Sequence, residues 1–290
     1  MTLVANAAVS IIFWVHDGGV RQARHFGHLP ISLPASAFVV SAAVSFVLAR
    51  YLTAPIRKLV DERQALARDL SHELRSPLAR MQIALGLARR PQSDVPRQLD
   101  RIEHEAQRLD RLIEQILRLS RLEDPAAPRA VEPLDLRILL DSLVHGALLE
   151  AQHQQKNIVT QLACEVWVEG DREMLSSAVD NVLRNAVHFT RVGTCVRVSM
   201  QAGSDEAQIL VRDAGPGVPH EDLMRIFTPF YRVPRAGAPG DGGHGIGLAI
   251  TSRVMRLHGG TVVARNNASG GLDVELRMPV ATASAIPRGA

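Results

Sequence analysis

Two apolar stripes at helical spacing constrain the fold of this chain most strongly. From Leu66 to Leu85, apolar residues recur every three or four positions, and the turn-forming sequence PQSDVP follows at 91–96. The pattern predicts a helical hairpin over 61–124. Because two such helices cannot bury both stripes alone, we expect a homodimer whose two hairpins form a four-helix bundle. The second stripe has coiled-coil spacing and comprises Leu99, Ile102, Ala106, Leu109, Ile113, Ile116 and Ser120.

A histidine lies at the edge of the first stripe, within the segment SHELRSPLAR at 71–80. His72 falls between Leu70 and Leu74, so we expect a solvent-facing imidazole that is neutral at pH 7, with a ring nitrogen able to act as a nucleophile. Glu73 could hold the other ring nitrogen or take up its proton. A surface histidine beside a glutamate is more often only part of a solvated face. The longer string SHELRSPLAR is what favours a catalytic role for this histidine.

Residues 131–280 change to a mixed pattern of helices and strands. Apolar residues at helical spacing predict a helix from Leu136 to Ala151, and Asp171 is a good N-cap for a second helix over 172–188. Short runs of alternating or apolar residues predict strands at 158–163, 165–169, 195–200, 208–211, 261–264 and 272–278. The fold class of this part is therefore α/β.

A first polar constellation interrupts this pattern in NVLRNAVHFT at 181–190. Asn181 and Asn185 are four residues apart and share one helical face. An amide oxygen there could ligate Mg²⁺, a hard cation, alongside phosphates and water. Asparagines on a helix surface are the alternative interpretation.

Two glycine-rich constellations follow. In DAGPG at 213–217, Asp213 comes directly after a predicted strand and could accept a hydrogen bond from the exocyclic amine of a purine, although a plain turn explains the string equally well. GDGGHGIGLAI at 240–250 opens a helix, where backbone N–H groups can cradle phosphates. Neither a strict Rossmann fingerprint nor a Walker loop is present.

In this order the strings resemble a bacterial sensor histidine kinase with a HisKA hairpin and a GHKL-type (Bergerat) ATP-binding domain. SHELRSPLAR resembles the H box, NVLRNAVHFT the N box, DAGPG and GGHGIGLAI the two glycine boxes, and IFTPFYR at 226–232 the F box. The resemblance covers about 50–280. It implies an α/β two-layer sandwich over 131–280. It also implies ATP-dependent phosphorylation of a histidine, followed by transfer to an aspartate of a response regulator.

The same resemblance implies roles for single residues. His72 would be the phosphoacceptor, Glu73 its acid/base partner, and Ser76 the residue that positions water when the partner is dephosphorylated. The implied cofactors are ATP and Mg²⁺, with Asn185 as the metal ligand and Asp213 as the reader of the adenine amine. His188 and Phe189 stand where the family more often has a basic residue and a tyrosine. The implied ATP-binding set is Asn181, Asn185, His188, Phe189, Asp213, Gly215, Gly217, Gly243, Gly245, Gly247 and Leu248.

An uncharged run at 29–49 predicts a transmembrane helix, because about 20 apolar residues span a bilayer. Arg50, Arg57, Lys58 and Arg63 follow it, as on the cytoplasmic side of a span. We therefore expect a chain in the bacterial inner membrane with its catalytic part in the cytoplasm; a buried core helix is the alternative. The remaining predicted segments are an N-terminal segment with room for a short first span at 1–28, a truncated HAMP-like linker at 50–60 and a tail at 281–290.

Composition narrows the function classes. A formal charge of +3 and 4% aromatic residues give little reason to expect nucleic acid as a partner. Two cysteines cannot form a disulfide scaffold or a cysteine-rich zinc site. Two alternatives to a histidine kinase stay open: a GHKL ATPase acting as a chaperone or topology machine, and a catalytically silent dimeric scaffold at the membrane.

Overall fold

The computed structural model describes residues 67–90, 94–124, 128–162, 165–234, 243–268 and 270–281. The predicted segments at 1–28, 29–49 and 50–60, and the tail beyond 281, lie outside these residues. Within the described residues, no helix combines the length and the apolar character that crossing a bilayer requires. The chain divides into two compact units, Met1–Arg68 and Asp69–Ala290, and almost all of the described residues belong to the second.

Two helices form the predicted hairpin elements. Helix α1 is described over 67–88 and continues through Pro77, whose side chain is buried. Helix α2 spans Val95–Glu123, and the Asp94 carboxylate caps it by accepting a hydrogen bond from Arg97 N at 3.2 Å. The predicted turn is therefore shorter than PQSDVP, because Pro96 already lies in the first helical turn, where its missing N–H costs nothing.

Helix α2 has two apolar faces. Leu112, Leu119 and Leu122 are buried in the core that the chain forms after the hairpin. On the predicted coiled-coil face, Leu99 and Ile113 are 55% and 42% exposed. The three buried leucines are not members of the seam predicted from the sequence, but one seam residue, Ile116, also packs against this core.

Two sheets follow the hairpin, and the structure contains all six predicted strands. The larger has five strands in the order β2-β4-β5-β7-β6, parallel between β2 and β4 and antiparallel elsewhere. A two-stranded antiparallel sheet pairs β1 with β3, and β1 was not predicted. The strands are β1 Val131–Asp135, β2 Asn157–Leu162, β3 Trp167–Asp171, β4 Cys195–Ala202, β5 Glu206–Arg212, β6 Thr261–Asn266 and β7 Leu272–Pro279.

Three helices accompany these strands: α3 Leu136–His153, α4 Arg172–Phe189 and α5 Gly247–Leu257. Asp171 caps α4 as predicted, since its side chain accepts a hydrogen bond from Met174 N at 3.0 Å. Short 3₁₀ turns lie at His220–Asp222 and Arg225–Phe227.

The core lies between one face of the larger sheet and the helices. Register places Val198 opposite Val211 and Met200 opposite Ile209, and these four side chains are at most 2% exposed. Leu183 of α4 and other helical leucines and isoleucines belong to the same buried cluster. The molecule thus combines a helical hairpin with an α/β domain, as the sequence predicts.

Candidate active site

Helix α4 presents the two predicted asparagines one turn apart, beside the start of α5. A Cβ atom on Gly247 would lie 3.1 Å from Asn181 Oδ1, so the two helices meet closely there. Asn181 Nδ2 is buried without a hydrogen-bond partner among the described residues. An unsatisfied buried donor costs about 1–3 kcal/mol, which makes this amide a candidate for contact with an anionic ligand. Leu248 follows Gly247 and packs partly buried against the core.

Asp213 follows strand β5 and is only 5% exposed. Its Oδ1 atom accepts hydrogen bonds from Gly215 N at 2.7 Å and from Leu272 N at 3.0 Å. Two backbone donors from separate segments therefore fix the orientation of the carboxylate before any ligand is bound.

Three further side chains hold the DAGPG loop, and none of them was predicted from the sequence as a site residue. Thr190 Oγ1 accepts a hydrogen bond from Ala214 N at 3.2 Å, and Arg191 Nη2 donates to Gly215 O at 3.3 Å. From the other side, Asn267 Nδ2 donates to Asp213 O at 3.1 Å. The end of α4 and the β6–β7 turn thus jointly position the loop. Thr190 closes the predicted N-box string, but nothing local identifies its partner.

The predicted glycines differ in how closely other atoms approach them. A Cβ on Gly215 would lie 2.7 Å from Phe189 O, so α4 passes directly against this loop. Gly217 and Gly245 both have φ of +72°, which favours glycine, and a Cβ on Gly245 would lie 2.8 Å from Tyr231 O. Around Gly243 a Cβ would meet nothing within 4 Å. The structure therefore brings the N-box, F-box and both glycine-box segments together.

His188 and Phe189 lie at the C-terminal end of α4. Their rings pack edge to face, with centroids 4.7 Å apart and an angle of 83° between the planes. Lys156 Nζ donates to the carbonyl oxygens of Val187 at 2.7 Å and His188 at 3.2 Å, as basic residues often do at helix ends. Burial lowers the pKa of Lys156.

The predicted phosphoacceptor is exposed on α1, as expected. The side chain of its neighbour Glu73 is 32% exposed, and Glu73 Oε2 lies 3.4 Å from His244 Nδ1 in the second glycine box. His244 itself is 7% exposed, and burial lowers its pKa, partly opposed by the hydrogen bond with Glu73. The hairpin thus contacts the glycine-rich segment through Glu73. No role was predicted for His244 from the sequence, although this residue lies within the string GDGGHGIGLAI.

No group of three or more His, Cys, Asp or Glu side chains with metal-ligating geometry occurs in the part of the chain that the structure describes. A Mg²⁺ ion fits this site only if most of its ligands are phosphate oxygens and water, with the Asn185 amide oxygen as a protein ligand. Such a ligand set is usual for a Mg²⁺ ion bound with a nucleotide.

Two family models match the chain. The His Kinase A (phospho-acceptor) domain matches residues 62–125, and the Histidine kinase-, DNA gyrase B-, and HSP90-like ATPase matches residues 170–282. The chain belongs to the sensor histidine kinases. The resemblance deduced from the five boxes is therefore confirmed, and the match to the phospho-acceptor domain precedes the match to the ATPase along the chain.

Individual relatives agree with this assignment. Sensor histidine kinase CpxA of Escherichia coli K12 is 34% identical over 242 residues, which are 83% of this chain and 51% of CpxA. Sensor protein kinase PmrB of Pseudomonas aeruginosa is 32% identical over 263 residues, 89% of this chain and 54% of PmrB. Full-length ShkA in complex with AMPPNP superposes with a TM-score of 0.56 at 28% identity, covering 76% of this chain and 46% of ShkA. The chain spans about half the length of the curated relatives it matches.

Proposed function

We propose that this chain uses ATP to phosphorylate His72 and then passes the phosphoryl group to an aspartate of a response regulator. The observation that carries the proposal is the exposure of His72 on a hairpin helix that matches a phospho-acceptor domain. An exposed imidazole can be reached by a nucleotide domain in one step and by a partner protein in the next.

The ATP site is proposed at the junction of α4, the DAGPG loop and the start of α5. Asp213 would accept a hydrogen bond from the adenine amine, and the buried Asn181 amide would donate to a phosphate. Asn185 would ligate Mg²⁺, which when bound supplies neutralisation of phosphate charge. The remaining members of the predicted set would line the nucleotide. ShkA, a relative of similar fold, was crystallised with AMPPNP, and this supports a nucleotide at the matching domain.

In the proposed reaction a neutral ring nitrogen of His72 attacks the γ-phosphorus of ATP. The nitrogen–phosphorus bond forms, the bond to the bridging oxygen breaks, and ADP leaves. Glu73 would take the proton from the other ring nitrogen. Because Glu73 contacts His244 in this structure, it would have to exchange that contact for one with His72.

Three further features belong to the proposal. The open face of α2 would join a second chain in a homodimer, as a four-helix bundle requires. The run at 29–49 would anchor the chain in the inner membrane, leaving the catalytic part in the cytoplasm. Ser76 would position water when the same chain dephosphorylates the phosphorylated regulator.

The full chain in detergent, incubated with γ-labelled ATP, tests this function. We expect acid-labile, base-stable label on the protein. His72→Gln should abolish it while ATP affinity stays within about twofold, because His72 lies on a different element from the nucleotide boxes. His145→Gln, at an exposed position on α3, is the matched control and should label normally. Release of free phosphate without protein label would favour a GHKL ATPase, and neither product would favour a silent scaffold.

A further inference from the structure

A polar cluster on the hairpin, formed by Ser76, Arg80 and Glu105, takes no part in the phosphorylation reaction proposed above. His72, Ser76 and Arg80 recur every four residues, so they lie along one face of α1. Arg80 Nη1 donates a hydrogen bond to Ser76 Oγ at 2.6 Å. The same guanidinium donates from Nε and Nη2 to the two carboxylate oxygens of Glu105 on α2, at 2.6 and 2.9 Å.

Glu105 anchors this arrangement from the second helix. Its side chain is only 15% exposed, and the hydrogen bond from Arg80 is the main cause that lowers its pKa. Exposed single ion pairs usually contribute little to stability. A bidentate pair differs because it fixes the plane of the guanidinium group. The third nitrogen of Arg80 is thereby aimed at Ser76.

We propose that Arg80 is a positioning residue for dephosphorylation of the response regulator, acting by holding the Ser76 hydroxyl in one orientation. This inference rests on the proposed function, in which Ser76 positions the attacking water. Since Arg80 occupies one lone pair of Ser76 Oγ, the other lone pair accepts a hydrogen from that water. The regulator then docks onto a hydroxyl that is already oriented.

The reaction served by this hydroxyl is a hydrolysis. The water oxygen bonds to the phosphorus of the regulator's aspartyl phosphate, the bond from phosphorus to the carboxylate oxygen breaks, and the carboxylate leaves with the bonding pair. Both water protons end on the released inorganic phosphate. No charge develops on Arg80, which acts only through Ser76.

Phosphorylation of His72 should not depend on Arg80. Eight residues of helix separate them, which is about 12 Å along the axis. The two reactions of the hairpin are therefore separable by substitution, and this separation is the signature that the experiment uses.

The test uses the full chain in detergent and purified receiver domains charged with acetyl phosphate. The probe is the receiver whose aspartyl phosphate the wild-type chain removes fastest, so its choice does not depend on autophosphorylation. Arg80→Met should slow the removal of phosphate by about ten- to hundredfold, the effect of losing one charge-assisted hydrogen bond. Labelling of His72 by γ-labelled ATP should stay within about twofold. Arg89→Met, at an exposed position in the turn directly after the same helix, is the matched control and should change neither rate.

A double-mutant cycle separates positioning from hairpin stability. Ser76→Ala should slow dephosphorylation as much as Arg80→Met does, and the double variant should be no slower than either. Arg80→Lys, which keeps the charge but loses the fork, should restore only part of the rate.

Three outcomes would overturn the proposal. The first is a normal dephosphorylation rate in Arg80→Met, and the second is a double variant whose rate is lowered by the product of the two single effects. The third is an Arg80→Met variant that loses His72 labelling and dephosphorylation to the same extent. If Ser76→Ala dephosphorylates normally, or if no receiver is dephosphorylated, the role of Ser76 fails and that of Arg80 fails with it. If the wild-type chain takes up no label at His72, the proposed kinase function is refuted, and the dephosphorylation rates can still be compared between variants.

Discussion

At the scale of single residues, the surroundings of Asp213 explain why a glycine is required where no motif marks one. Gly271 precedes the residue whose N–H group binds the Asp213 carboxylate. Its φ is +93°, and a Cβ there would lie 2.2 Å from Asp213 O. The backbone can approach Asp213 this closely only because no side chain intervenes.

We therefore expect Gly271→Ala to lower the free energy of unfolding of fragment 60–290 by about 3 kcal/mol or more, through strain and overpacking together. Gly193 is the matched control, because its φ is +78° but a Cβ would meet nothing within 4 Å. Gly193→Ala should cost only about 1–2 kcal/mol of backbone strain. Urea unfolding of both variants measures the difference, and equal losses would contradict this account.

Substitutions of Asn185 and Asp213 should impair the reaction in different ways. Phosphoryl transfer depends on charge neutralisation, so Asn185→Ala should depress the rate strongly, and extra Mg²⁺ should restore part of it. Asp213→Asn should weaken ATP binding by roughly ten- to hundredfold and erode the preference for ATP over GTP.

Nucleotide affinity and single-turnover labelling at low and high Mg²⁺ measure both effects. The metal role is wrong if Asn185→Ala labels at the normal rate in limiting Mg²⁺. The adenine role is wrong if Asp213→Asn leaves the nucleotide preference unchanged.

At the scale of elements, the helices and most strands could be predicted because their periodicity is local. Asp171 illustrates this, since its capping of α4 needs only the next three residues. Strand β1 could not be predicted from VEPLD, which is short and contains Pro133. The strand forms by pairing with β3, which is distant in sequence. The contacts Arg80–Glu105 and His244–Glu73 could not be predicted for the same reason, because the two residues of each pair lie on different elements, 25 and 171 positions apart.

The contact between α1 and the glycine-rich segment predicts a pH dependence. Burial lowers the pKa of His244, with Glu73 and Arg108 as the charged groups nearby. Between about pH 6.5 and the lowered pKa of the folded state, the unfolded chain takes up a proton at His244 more readily than the folded chain does. The free energy of unfolding should therefore fall as the pH falls, by at most about 1.4 kcal/mol per pH unit from this group.

Urea unfolding of fragment 60–290 at pH 7.5 and 5.5, compared with His244→Gln, isolates this contribution. The wild type should lose more stability than the variant on acidification, because glutamine has no proton to gain. His145→Gln, which removes an exposed histidine on α3, serves as the matched substitution control. Identical changes in wild type and His244→Gln would show that the histidine does not titrate in this way.

At the scale of the whole molecule, α2 packs against its own chain with one face and exposes apolar residues on another. Leu112, Leu119 and Leu122 attach it to the α/β core of its own chain, while Leu99 and Ile113 stay exposed. The part of the coiled-coil face that stays exposed in its own chain fits a second hairpin. The same helix also carries Glu105, which binds Arg80. The position of a second chain and the orientation of Ser76 would therefore both depend on α2.

We therefore expect fragment 60–290 to be a dimer at micromolar concentration, and Ile113→Asp to shift it to a monomer. A carboxylate placed in an apolar seam must be desolvated without a partner, so the dissociation constant should rise by at least about a hundredfold. Ile138→Asp is the matched control, because Ile138 is 61% exposed and belongs to α3, which is not part of the hairpin. Light scattering measures the mass of each protein. A monomeric wild type, or a dimer that Ile138→Asp disrupts as readily as Ile113→Asp, would refute the seam on α2.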